Sequence, residues 1–143
     1  MQGFTDNSGR ITQRLRTAIR RAYNDIGEFV AERARDNVVR RTGALADSIR
    51  FEVYDDHVTI GSDSEYSSYV ELGTGPHYTP PPRWERNAAE RGHHTDDPWW
   101  YFDERDGEWH IGWFVTARPY LAPAILNNVA ELQRIFENHI HNA

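Results

Sequence analysis

Cysteine and lysine are both absent from the 143 residues, and methionine occurs once. Without thiols the chain forms no disulfide and no thiolate zinc site, which fits a reducing compartment. Without lysine no phosphate-binding loop can be completed, so nucleotide hydrolysis is not expected. No apolar run approaches the ~20 residues of a membrane span, so no membrane partner is expected. Met1 to Arg10 is polar and lacks the apolar middle of a signal peptide. The expected setting is a cytoplasm, or a particle assembled in one. The length predicts a single domain, residues 1–143, able to bury a core without staples.

Charge is distributed unevenly. The net value is −6, and all sixteen basic residues are arginine. Residues 1–50 carry ten Arg against six acidic residues, a net of +4; residues 51–143 carry six Arg against sixteen, a net of −10. Such a split predicts a surface with two poles, or simply an amphipathic helix followed by acidic loops.

Periodicity outlines the fold. Residues 1–9, with Gly3, Asp6, Asn7, Ser8 and Gly9, read as a flexible arm. Ile11, Leu15, Ile19, Ala22, Ile26, Val30, Ala34 and Val38 recur at helical spacing, predicting one long helix over about 10–40. Ser8 or Thr12 is the expected cap. Gly27 costs about 1 kcal/mol relative to Ala there and marks a close contact or bend. Thr42-Gly43 is expected to stop the helix. Ile49, Phe51 and Val53 alternate with polar neighbours, and Val58 and Ile60 follow the turn Asp55-Asp56-His57, predicting an antiparallel hairpin. A short helix capped by Ser62 or Ser64 runs to Leu72 and ends at Gly73. Residues 76–98 form a Pro- and His-rich irregular loop. Pro123-Ala124 opens a last helix to about His139. The fold class is α+β, with a long N-terminal helix, a small antiparallel sheet, a short middle helix, an aromatic β-hairpin insertion and a C-terminal helix.

Catalytic signatures are weak. His93, His94, Asp96 and Asp97, with His110, contain metal-ligand types but not the helical i,i+4 spacing of a zinc-protease motif; adjacent His side chains in an extended loop diverge, and a solvated loop is the expected reading. Acidic pairs such as Asp55/Asp56 and Asp103/Glu104 fall at turns rather than in a cleft. No cofactor is expected. Arg14, Arg20, Arg21 and Arg35 on the first helix could touch phosphates, but Asp25, Glu28, Glu32 and Asp36 among them favour intrahelical pairs. Glu71 sits in a last helical turn, where the dipole disfavours an anion. It needs a donor, and Arg41, Arg118 or nearby backbone groups are the candidates.

The aromatic arm is the strongest signal. Trp84, Trp99, Trp100, Trp109 and Trp113 cluster beside Tyr101 and Phe102. Residues 99–115 form a hairpin about an Asp106-Gly107 turn. Its own domain can bury only one face, so the other is expected to meet a neighbouring subunit or partner.

Three ordered motifs close the reading: Arg41-Thr42-Gly43-Ala44-Leu45-Ala46-Asp47-Ser48-Ile49, Tyr66-Ser67-Ser68-Tyr69-Val70-Glu71-Leu72-Gly73-Thr74-Gly75 and Arg118-Pro119-Tyr120-Leu121-Ala122-Pro123-Ala124. Set between two long helices, they resemble the neck, tail-component or tail-completion proteins of long-tailed, siphovirus-like phages and prophages. The resemblance spans roughly residues 11–140. It departs from the pattern at Ser67, where Ala is common, and at Tyr120, where Phe is usual. It implies family-motif roles for Thr42, Gly43, Leu45, Ser48, Tyr66, Glu71, Gly73, Thr74, Pro119, Tyr120, Leu121, Pro123 and Ala124. It also implies a virion protein without catalysis, placed at the head–tail junction in a closed homo-oligomeric ring, expected to be a hexamer. Head-connector and tail proteins would be its neighbours, and viral DNA would pass through an acidic lumen. A tail-terminator ring is the alternative within that class; a metal-dependent enzyme and a DNA-binding module are alternatives outside it.

Overall fold

A computed structural model of the chain describes residues 3, 5–38, 43–73, 99–112 and 116–143. Helix α1, Ser8–Asn37, is the spine. It begins two residues before the expected start, and neither Ser8 nor Thr12 caps it. Asn7 is the N-cap without a side-chain bond. Asp6 Oδ1 accepts the Ser8 N–H at 2.8 Å, and the Thr12 hydroxyl donates back to the Ser8 carbonyl at 2.9 Å.

The far end of α1 also differs from expectation. The helix stops at Asn37, with Val38 buried in an extended conformation. Valine is a β-branched residue that loses χ1 freedom in a helix. The Asn37 side-chain amide donates to the Tyr120 carbonyl at 3.0 Å, which fixes this end against the C-terminal segment. Gly43 therefore does not terminate α1. Its φ of 80° opens a short helix α2, Ala44–Asp47, whose Leu45 and Ala46 are buried. The left-handed region strongly favours glycine.

Strands β1, Ile49–Val53, and β2, Val58–Ser62, pair antiparallel, with Val53 opposite Val58 and Ile49 opposite Ser62. Ile49 is fully buried and Phe51 partly so, matching the alternation in the sequence. A Cβ on Gly27 would lie 2.3 Å from Cδ2 and 2.8 Å from Cγ of Phe51. Gly27 is thus a close-approach position: the missing side chain lets β1 seat its aromatic ring against α1.

Helix α3, Ser67–Leu72, has Tyr66 as its N-cap rather than either serine. Ser62 Oγ is already committed, sharing a 2.6 Å bond with Ser48 Oγ and accepting the Ser64 N–H at 3.0 Å. Gly73, φ 73°, ends the helix as expected. Strands β3, Trp99–Asp103, and β4, Glu108–Gly112, form a second antiparallel pair.

The C-terminal helix is broken in two, α4, Leu121–Leu126, and α5, Val129–His141. Asn127 and Asn128 make the joint: the Asn128 amide group donates to the Ala124 carbonyl at 2.9 Å, and its N–H bonds only three residues back, to Ile125, at 3.1 Å. Asn side chains compete with the helical backbone in this way. One core cluster joins Val30, Ala31 and Ala34 of α1, and Val38 just after it, to Leu45, Ala46, Ile49, Tyr120 and Ala124, with Ile26, Phe29, Phe51, Val70 and Leu132 at its margin. Four small alanines in this cluster, Ala31, Ala34, Ala46 and Ala124, allow the elements to approach α1 closely.

Candidate functional site

Two constellations stand out. One is a carboxylate latch. Glu71 is 7% exposed and lies in the last turn of α3. Its Oε2 accepts the Tyr120 N–H at 2.6 Å and the Leu121 N–H at 3.0 Å, while Oε1 accepts the Ala122 N–H at 2.8 Å. These are the cap and first two residues of α4, and the next residue is Pro123, which has no N–H. The free donors that any helix start leaves are therefore all taken by one side chain 49–51 residues away in sequence. Backbone donors answer the expectation about Glu71. The Arg118 guanidinium is not what holds it; the Arg118 backbone N–H instead donates to the Val70 carbonyl at 2.7 Å. The positive end of α4 offsets the unfavourable end of α3.

The latch ties the second motif to the third. Leu45 of the first motif, Tyr120 and Ala124 are buried in the same core, and Leu121 packs at its edge. The Ser48 hydroxyl is bonded to the Leu45 carbonyl as well as to Ser62. Tyr66 is 45% exposed, Pro119 is exposed, and Pro123 is half-buried. Thr42, Thr74, Trp84 and Trp113, together with Arg41, His93, His94, Asp96 and Asp97, lie outside the described residues.

The other constellation is the β3–β4 hairpin. Register places Trp100 opposite Ile111 and Phe102 opposite Trp109, so these four share one face. All are exposed: Trp100 by 64%, Phe102 by 48%, Trp109 by 65% and Ile111 by 43%. Phe102 and Trp109 pack ring to ring at 5.5 Å. Trp99 and Tyr101 are strand residues paired with Gly112 and His110. Among the described residues no other element packs broadly on either strand.

The turn is heavily acidic. Arg105 Nε donates to Asp103 Oδ1 at 2.9 Å and its Nη2 pairs with Oδ2. That bidentate pairing, helped by the Arg105 backbone N–H, holds the Asp103 carboxyl well below the usual carboxylate range. Asp106 Oδ2 is 2.7 Å from His110 Nε2. Donor atoms of Asp103, Asp106 and His110 come within 4.8 Å of one another. Sequence reading did not group these three, because the turn brings them together only once the strands pair. Each already has a protein partner within the hairpin. The surface concavity at Thr17, Arg20, Arg21, Asn24, Asp25 and His139 is an open depression. No helix among the described residues is long and apolar enough to cross a membrane.

Residues 2–73 fit the family model described as "Bacteriophage HK97-gp10, putative tail-component". The chain belongs to this family. The match covers α1, α2, the β1–β2 hairpin and α3 with Glu71, and ends at the glycine closing that helix. The aromatic hairpin, α4 and α5 lie beyond it. Neither the curated proteins nor the solved structures yield a match. Membership supports a virion structural role and association with other phage virion proteins.

Proposed function

We propose that this tail-component protein works at the head–tail junction, as a neck or tail-completion subunit that joins the head connector to the tail and performs no catalysis. The observation that carries the reading is the exposed aromatic face of the hairpin. Four large apolar side chains stand open on a two-stranded arm of a protein whose family builds virions. An isolated hairpin is at best marginally stable in water, and surface of this kind is ordinarily covered by a partner. Trp is also the residue type most enriched at the energetic centres of interfaces.

Subunits close into a ring, six-fold in this proposal, and the acidic half of the chain faces the lumen. Like charge there keeps phosphates from sticking while DNA passes. The arginine-rich half of the chain faces acidic neighbours instead.

The test is to delete the gene from the phage or prophage that carries it and to image the lysate by electron microscopy. Full heads lying apart from finished tails are the expected result. Tails of irregular length would favour a terminator ring, because an uncapped polymer keeps growing. Normally joined particles would overturn the assignment.

A further inference from the structure

The apolar stripe of α1 is longer than the body that covers it. From Ala18 onward the stripe is buried or half-buried, but Ser8 to Thr17 is exposed throughout, with Ile11 58% and Leu15 40% exposed. These two residues are one turn apart and share a face. This overhang is also strongly basic. Between Ser8 and Asn24 stand Arg10, Arg14, Arg16, Arg20 and Arg21 with no acidic residue, a net of +5. Arg20 has a partner in Asp55, at 3.0 Å, on the exposed β1–β2 turn.

The hairpin has the complementary character. Its exposed apolar face is edged by a turn carrying Asp103, Glu104, Asp106 and Glu108 against Arg105 alone, a net of −3. Two uncovered surfaces of one chain therefore match in polarity and oppose in charge: an aromatic strand pair with acidic ends, and a helical ridge with basic flanks. Each is small by itself, and each is left uncovered by the described residues of its own chain.

We propose that the occupant of the aromatic hairpin is the α1 overhang of a second copy of this chain, with Trp100, Phe102, Trp109 and Ile111 seated on Ile11 and Leu15. The acidic turn lies against Arg10, Arg14 and Arg16. This contact is heterologous: each copy offers a hairpin to one neighbour and a helix to the other, so it propagates and closes as a ring. Opposite charge sets the register and excludes hairpin-on-hairpin pairing, where two acidic turns would meet. The inference rests on the ring reading above and names its interface.

The absence of native cysteine allows a clean test, because introduced thiols report alone. Ile11→Cys and Trp109→Cys are made separately in the full chain. Both positions are exposed, and circular dichroism checks that each variant keeps the fold. Under mild oxidation, the expected result is a cross-linked dimer when the two variants are mixed and none from either alone. The double variant is expected to give a ladder ending at the ring's subunit number. Reversing Arg10, Arg14 and Arg16 to Glu should lower cross-linking at least about tenfold.

Dimers from Trp109→Cys alone would mean hairpins pair with each other and would overturn the proposal. So would the absence of any cross-link, both in solution and in particles carrying the double variant. Separate heads and tails in the deletion strain, combined with no cross-link, would leave the junction reading standing and remove only this interface. Joined particles with a full ladder would do the reverse.

Discussion

Replacing Glu71 should loosen the joint between the two halves of the chain, and two substitutions separate the causes. Glu71→Gln keeps the shape but has one carbonyl oxygen where the carboxylate has two. That oxygen can hold the Tyr120 and Leu121 donors, which share Oε2. The amide nitrogen then faces the Ala122 N–H, which loses its acceptor. A buried donor left unmade costs about 1–3 kcal/mol, and Ala122 is half-buried, so a loss of about 1–2 kcal/mol is expected. Glu71→Ala removes all three bonds but leaves space for water, which recovers part of the cost. Its expected loss is about 3–4 kcal/mol, within the range for breaking a buried charged network. For a domain of this size that lowers the melting temperature by roughly 10 °C. Urea unfolding followed by far-UV circular dichroism and by tryptophan fluorescence measures both variants. If both unfold within about 0.5 kcal/mol of the parent, the latch is not holding α3 to α4 and the reasoning fails.

Gly27→Ala should destabilise despite alanine's better helix propensity. The gain of about 1 kcal/mol is outweighed by overpacking of about 1–3 kcal/mol against the Phe51 ring. Pairing it with Phe51→Leu should recover part of the loss, and additive effects in that double-mutant cycle would refute the contact. The Asp103 carboxyl should titrate below the ordinary aspartate range because Arg105 holds its charged form. The sign follows from linkage: with the folded value depressed, the stabilisation is complete above the unfolded value of about 3.9 and is lost as pH falls through the lower folded one. Carboxyl-carbon NMR of the chain reads this directly, and Arg105→Ala should return Asp103 toward the ordinary value. An ordinary titration in the parent would show that the pairing does not persist in solution.

Local sequence was enough for much of this protein. The period of 3.6 from Ile11 to Val38 defined α1 because its apolar stripe has to be covered. Alternation at Ile49, Phe51 and Val53 defined β1 because only one face meets the core. Gly73, and the Asp-Gly turn between two aromatic runs, marked places where a special backbone conformation is needed. Glu71 could be recognised as anomalous from its position alone, since a carboxylate at a helix C-terminus needs compensation. Tertiary structure decided the rest. It chose three backbone donors of α4 over Arg118, and it ended α1 at Asn37, whose side-chain amide reaches the Tyr120 carbonyl, rather than at Gly43. Each of these rests on a hydrogen bond or packing contact between residues whose proximity no local pattern encodes. The exposed face of the hairpin is the same case: alternation says that a strand has two faces, but only the folded chain shows that the face of Trp100, Phe102, Trp109 and Ile111 finds no cover among the described residues.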